Sequence, residues 1–169
     1  MNKIFNQGSI LSSLVFLLVT PVFATTTTTT FNITATVNAA CSVTASNLAF
    51  NIYNPILAAA LNASTTINVT CTNGSTYNIG LDSGSGTGAT VANRLMTRLS
   101  GGTDTIAYSL YQNAGLTTVW GPTIGTNTYS GTGTGTSQPI TVYGTIFAAN
   151  ATSIPPASYS DTVTVTVTY

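Results

Sequence analysis

Along much of the chain apolar and polar residues alternate with a period of two. The pattern first appears at residues 31–37, where Phe31, Ile33, Ala35 and Val37 are apolar and Asn32, Thr34 and Thr36 are polar. Successive side chains of a strand point to opposite faces, so this segment predicts a strand with one apolar face. Leu48, Phe50 and Ile52 share a phase until Asn54-Pro55 breaks the run. Thr65, Ile67, Val69 and Cys71 share another, which turns Cys71 inward with the aliphatic residues. Asn73-Gly74 marks a turn, after which Tyr77, Ile79 and Leu81 resume the alternation. Residues 95–99, 105–111 and 117–120 read as further strands. Residues 140–147 are apolar on both faces at several points, which predicts a central buried strand. Val163, Val165, Val167 and Tyr169 close the chain in one phase. Two stretches rich in Gly, Ser and Thr, 83–89 and 131–136, read as flexible loops. No ten-residue stretch beyond residue 24 carries a helical period. Short strands separated by turn signals predict an all-β sandwich.

Composition narrows the chemistry. Charged residues make up 4% of the 169, namely Lys3, Arg94, Arg98, Asp82, Asp104 and Asp161, with no His and no Glu. Nucleic-acid binding needs clustered Lys and Arg, so no nucleic-acid partner is expected. Without His, the commonest general base and metal ligand is missing, and no catalytic residue, metal site or cofactor is nominated. Asp82, Asp104 and Asp161 are too scattered in sequence to suggest a carboxylate pair. Gly84, Gly86 and Gly88 resemble a phosphate loop only in their glycines, since no Lys follows. The reading is of a non-enzyme. Thr, at about a fifth of the chain, is β-branched and suits strands.

Residues 1–24 have the layout of an export signal. Lys3 supplies the positive start, residues 10–23 are largely apolar, and Val22-Phe23-Ala24 offers a cleavage site. The apolar stretch is short for a membrane span and lacks a cationic flank. Export leads to an oxidising compartment, where the pair Cys41 and Cys71 reads as a disulfide. On the chain-entropy argument, closing that loop of about 30 residues is worth roughly 3.5 kcal/mol. The alternatives are two free buried thiols or a metal site, the latter short of ligands. Arg94 and Arg98 are the two trypsin sites beyond residue 24, and they read as lying near a loose turn.

The two ends of the pattern differ from an ordinary sandwich. The last apolar phase runs to Tyr169, which predicts a final strand followed by no other. The first, 31–37, lies outside the Cys41–Cys71 loop and behind the tract Thr25–Thr30. It reads either as an edge strand of its own fold or as a strand donated to another copy.

Several local motifs point the same way. Cys41-Ser-Val, Asn93-Arg94-Leu95-Met96, Tyr108-Ser-Leu-Tyr111, Val119-Trp-Gly121 and Tyr159-Ser-Asp-Thr-Val163, in that order, resemble the spore coat protein U domain. The resemblance covers roughly residues 38–169. It implies an incomplete immunoglobulin-like β-sandwich completed by a donor strand from a neighbouring subunit, as in the major subunits of archaic chaperone–usher pili. The implied partners are a periplasmic chaperone, an outer-membrane usher and copies of the chain itself. The implied destination is a pilus on the cell surface, serving attachment and biofilm formation. Matched onto this chain, the donor positions are Phe31, Ile33, Ala35 and Val37. The groove edge and chaperone contact are Val163, Val165, Val167 and Tyr169. The chain then divides into a signal peptide (1–24), a donor-strand extension (25–38) and a pilin domain (39–169). A non-polymeric spore or cell coat protein and a secreted carbohydrate-binding module are the alternatives.

Overall fold

A computed structural model of the chain describes residues 20–57, 59–148 and 154–169. Most of the expected export signal lies outside these. The chain divides into two units, one ending at Thr36 and one running from Val37 to Tyr169. In the first, residues 20–36 form no strand or helix and every one is exposed. The strand expected at 31–37 is therefore not formed. Its alternation is intact, but a lone strand has no partner for its backbone groups and no surface for its apolar face. Phe31 and Ile33 are more than four-fifths exposed, as is Val37 at the start of the second unit.

The second unit is an all-β sandwich. Its strands are β1 (Cys41–Ala45), β2 (Leu61–Cys71), β3 (Thr76–Leu81), β4 (Arg94–Arg98), β5 (Thr105–Tyr111), β6 (Tyr129–Thr132), β7 (Gln138–Ile146), β8 (Tyr159–Ser160) and β9 (Val165–Thr168). Six pair in the order β1-β2-β7-β5-β4-β8, and three in the order β6-β3-β9, with every pairing antiparallel. The alternation explains the core. Ile67, Val69 and Cys71 of β2, Ile140, Val142 and Ile146 of β7, and Ile106, Tyr108 and Leu110 of β5 turn one face inward. Tyr77, Ile79 and Leu81 of β3 meet them from the other sheet. Strand β7 lies between β2 and β5, as its two-sided apolar pattern predicts. Cys41 and Cys71 sit opposite each other on β1 and β2 and are disulfide-bonded.

Four readings need correction. Residues 48–52 are no strand: Ser46 makes a last bond to Thr66 O, the chain leaves the sheet, and Asn51 takes a positive φ of 59°. Leu48 and Phe50 still turn inward, whereas Ile52 is 92% exposed. Residues 117–120 contribute a single bridge, Val119 to Tyr111, because the chain turns there to bury Trp120, whose Nε1 donates to Ile79 O at 2.8 Å. Residues 129–132, half of them within the expected loop 131–136, form β6. Gly131 makes that strand possible, since any Cβ there would strike the ring of Tyr77. Finally, Arg94 is in no loose turn: it lies in β4 with none of its surface exposed.

Candidate functional site

The sandwich is open along one side. A groove of about 1130 Å³ runs between the inner face of the large sheet and β9. Its floor is Ile67, Val142, Ile146, Leu110, Tyr108 and Ile106. One wall is the connector after β1, where Leu48 and Phe50 pack over Gly144 and Phe50 meets the Tyr108 ring edge-on at 6.0 Å. The other wall is the segment leading into β9, with Val163 and Val165. Gly144 is required there: a Cβ would lie 2.9 Å from Phe50 and 3.0 Å from Leu48.

Strand β9 gives this wall its character. It pairs with β3 on one side only, and among the described residues no strand pairs with its other edge. Backbone groups in an antiparallel strand alternate in direction. Asp82 N donates to Thr164 O at 3.2 Å, and Thr164 N to Asp82 Oδ1 at 2.9 Å, so Thr164 faces β3. Leu81 N turns away from β9, to Gly121 O. By alternation the N–H and C=O groups of Val163, Val165 and Val167 point to the open edge, while their side chains pack against the core. The strand thus presents an apolar face and a row of backbone hydrogen-bonding groups to the same groove. That combination accepts an extended peptide with alternating apolar residues.

A polar cluster braces the open side. The Arg94 guanidinium donates to four backbone carbonyls: Nε to Asp82 O at 2.9 Å, Nη1 to Val91 O at 2.7 Å, and Nη2 to Leu81 O at 3.3 Å and Trp120 O at 2.7 Å. Burial pulls its pKa below the usual arginine value, and the nearby carboxylates Asp82 and Asp161 oppose that shift. The Tyr108 hydroxyl donates to Asp161 Oδ2 at 2.7 Å. Burial, then that hydrogen bond, pushes the phenol well above its usual range, so it stays a donor. Burial alone would raise the pKa of Asp82. Hydrogen bonds from Thr164 and the Gly84 N–H, with the Arg94 charge, outweigh it and hold the carboxyl below its usual value.

Of the expected groove-edge residues, Val163, Val165 and Val167 are half-buried against the core, while Tyr169 is 58% exposed. The expected donor residues Phe31, Ile33, Ala35 and Val37 are exposed. The structure adds Leu48, Phe50, Tyr108 and Asp161 to the site. Asp161 had one visible signal, a lone charge ahead of an alternating Thr/Val run. Nothing in sequence spacing tied it to Tyr108.

Comparison with known proteins bears on the family and the fold. The family model for the Spore Coat Protein U domain matches residues 27–166. The chain belongs to the Spore Coat Protein U domain family. Among its relatives is Protein U of Myxococcus xanthus, 33% identical over an alignment of 162 positions that covers 88% of each chain. Among solved structures, this chain's fold is similar to that of a chain in the CsuC–CsuE chaperone–tip adhesion subunit pre-assembly complex of archaic chaperone–usher Csu pili from Acinetobacter baumannii. That match has a TM-score of 0.56 at 20% identity and covers 79% of this chain. The chain spans 41% of that neighbour's length. At this identity the likeness speaks for the fold.

Proposed function

We propose that this chain is a structural pilin subunit that polymerises by exchanging donor strands with its own copies. The observation that carries the reading is the apolar groove beside the unpaired edge of β9. A free strand edge is a liability in water, as are the exposed apolar residues Ile52 and Ile56 on the groove's rim, so a subunit needs an occupant for them. Phe31, Ile33, Ala35 and Val37 form a matching apolar face, and no charged residue lies between Thr25 and Ala40. Burying the Phe, Ile and Val side chains stabilises the joint by about 5–9 kcal/mol before ordering costs. A strand given to one neighbour and a groove filled by another is a head-to-tail contact, which builds an open fibre.

On this reading residues 1–24 direct export, 25–38 are the donor extension and 39–169 the acceptor domain. A periplasmic chaperone fills the groove before assembly and an outer-membrane usher delivers the subunit to a cell-surface pilus for attachment and biofilm formation. The chaperone–subunit complex among the fold neighbours supports this. The family description favours a second reading, a spore or cell coat protein, which would be non-polymeric. Electron microscopy of cells carrying the chain with a chaperone and usher separates the two. Thin fibres that are lost in Ile33→Asp support the pilin. An amorphous layer without fibres supports the coat protein.

A further inference from the structure

Asp161 sits where the chain crosses from one sheet to the other. The residue before it, Ser160, pairs with Thr97 in the large sheet, and Thr164 bonds to Asp82 at the end of β3 in the small one. Its carboxylate reaches both sides. Oδ2 accepts from the hydroxyl of Tyr108, a buried residue on the groove floor, at 2.7 Å. Oδ1 accepts from the backbone N–H and the hydroxyl of Ser85, each at 2.7 Å, and from Thr162 N at 2.8 Å. Gly84, at φ +81°, lets the loop close onto the carboxylate, since any Cβ there would run into it. Among the described residues lining the groove, Asp161 is the one with a charge.

An empty apolar groove has a tendency to shut. The hydrophobic effect is non-directional and favours any motion that removes Val163 and Val165 from water against Tyr108, Ile106 and Met96. Strand β9 is hydrogen-bonded to β3, and among the described residues no strand pairing holds its groove edge against that motion. Charge-assisted hydrogen bonds are directional and stronger than neutral ones.

We propose that Asp161 is a positioning residue that clasps the entry to β9 to Tyr108 and Ser85, holding the groove open at the width an inserted strand needs. This rests on the acceptor-groove reading above. The clasp makes the groove preformed, so an arriving strand does not first have to separate collapsed walls.

The test uses the full chain, at concentrations where it is monomeric, and a fluorescent peptide spanning residues 27–40. Peptide affinity is read by anisotropy, and exposed apolar surface by fluorescence of the dye ANS. Tyr108→Phe keeps the ring and removes only the bond between the sheets, so it folds where Asp161→Ala could fail. Asp161→Asn keeps the shape and removes the charge. The expected result is about tenfold weaker peptide binding in both, equivalent to about 1.4 kcal/mol, with reduced dye fluorescence as the groove narrows. A residue that merely stabilises the fold predicts the opposite dye signal, because a loosened sandwich exposes apolar surface. Unchanged peptide affinity or increased dye fluorescence in Tyr108→Phe overturns the clasp while leaving the acceptor groove standing. A wild-type chain that binds no peptide overturns both.

Discussion

Arg94 carries a full charge into the interior without a carboxylate hydrogen-bonded to it, and four carbonyls from three separate segments replace the water it loses. Removing the side chain orphans the carbonyls of Leu81, Asp82 and Trp120, while Val91 O keeps the Ser109 hydroxyl at 3.3 Å; each orphan costs about 1–3 kcal/mol if left unpaired. Arg94→Met should therefore lower unfolding stability by at least about 3 kcal/mol, and Arg94→Lys should recover little, because an ammonium lacks the planar fork. Urea unfolding measures both. Asp82 gives a pH signature. Its folded pKa lies below the ordinary value, so its stabilisation is complete above the unfolded pKa of about 3.9 and is lost as pH falls through the folded pKa. Wild-type stability should decline with acidification below about pH 4 through this group. Asp82→Asn should be less stable at neutral pH and lose less on acidification; an unchanged acid slope would exclude Asp82 as a contributor.

At the scale of elements, the short edge strand β1 depends on a covalent tie. Five residues bond to β2 on one side only, and the disulfide joins Cys41 to Cys71 directly across that pair. Replacing both with Ser should cost about 2–5 kcal/mol. Hydrogen exchange should show residues 41–45 losing protection first, since they lose their anchor while β2 keeps β7. The segment 31–37 behaves differently, because its partner is expected outside its own fold. On the donor-strand reading, Ile33→Asp would place a charge in an apolar groove, which is strongly unfavourable. The subunit should still fold with a chaperone but fail to enter its neighbour, so fibres vanish while chaperone complexes persist. Loss of the chaperone-bound subunit would assign the strand to its own sandwich instead.

For the whole molecule, sparse charge and burial decide what a protease can reach. Arg98, half-buried and paired with Asp104 at 3.1 Å, lies at the mouth of the exposed β4–β5 turn, whereas Arg94 is sealed in the core. Proteolysis needs local opening, and the turn opens more readily than the centre of β4. Trypsin acting on native subunit should cut after Arg98 and spare Arg94, as mass analysis of the fragments would show. Early cleavage after Arg94 would mean that β4 opens as a unit.

The pattern of alternation was enough to read the sandwich, because period two is a local property of each strand. It placed β5 at 105–111 and β7 within two residues at its start, and it turned Cys71 inward. It also showed the apolar face of Phe31, Ile33, Ala35 and Val37, although not whether anything in the same fold covers it. What alternation does not encode is which strand lies beside which, and here the tertiary structure decided. The groove exists because, among the described residues, β9 ends the small sheet with one edge unpaired, a matter of strand order. Leu48 and Phe50 pack inward without forming a strand, held by Gly144 on a strand almost a hundred residues away. Gly131, a loop residue by composition, belongs to β6 because the Tyr77 ring needs its space. In sequence Arg94 reads as a trypsin site near a loose turn and Asp161 as one of three scattered carboxylates. Each found its role through hydrogen bonds to residues remote in sequence, and such bonds depend on the fold that brings the partners together.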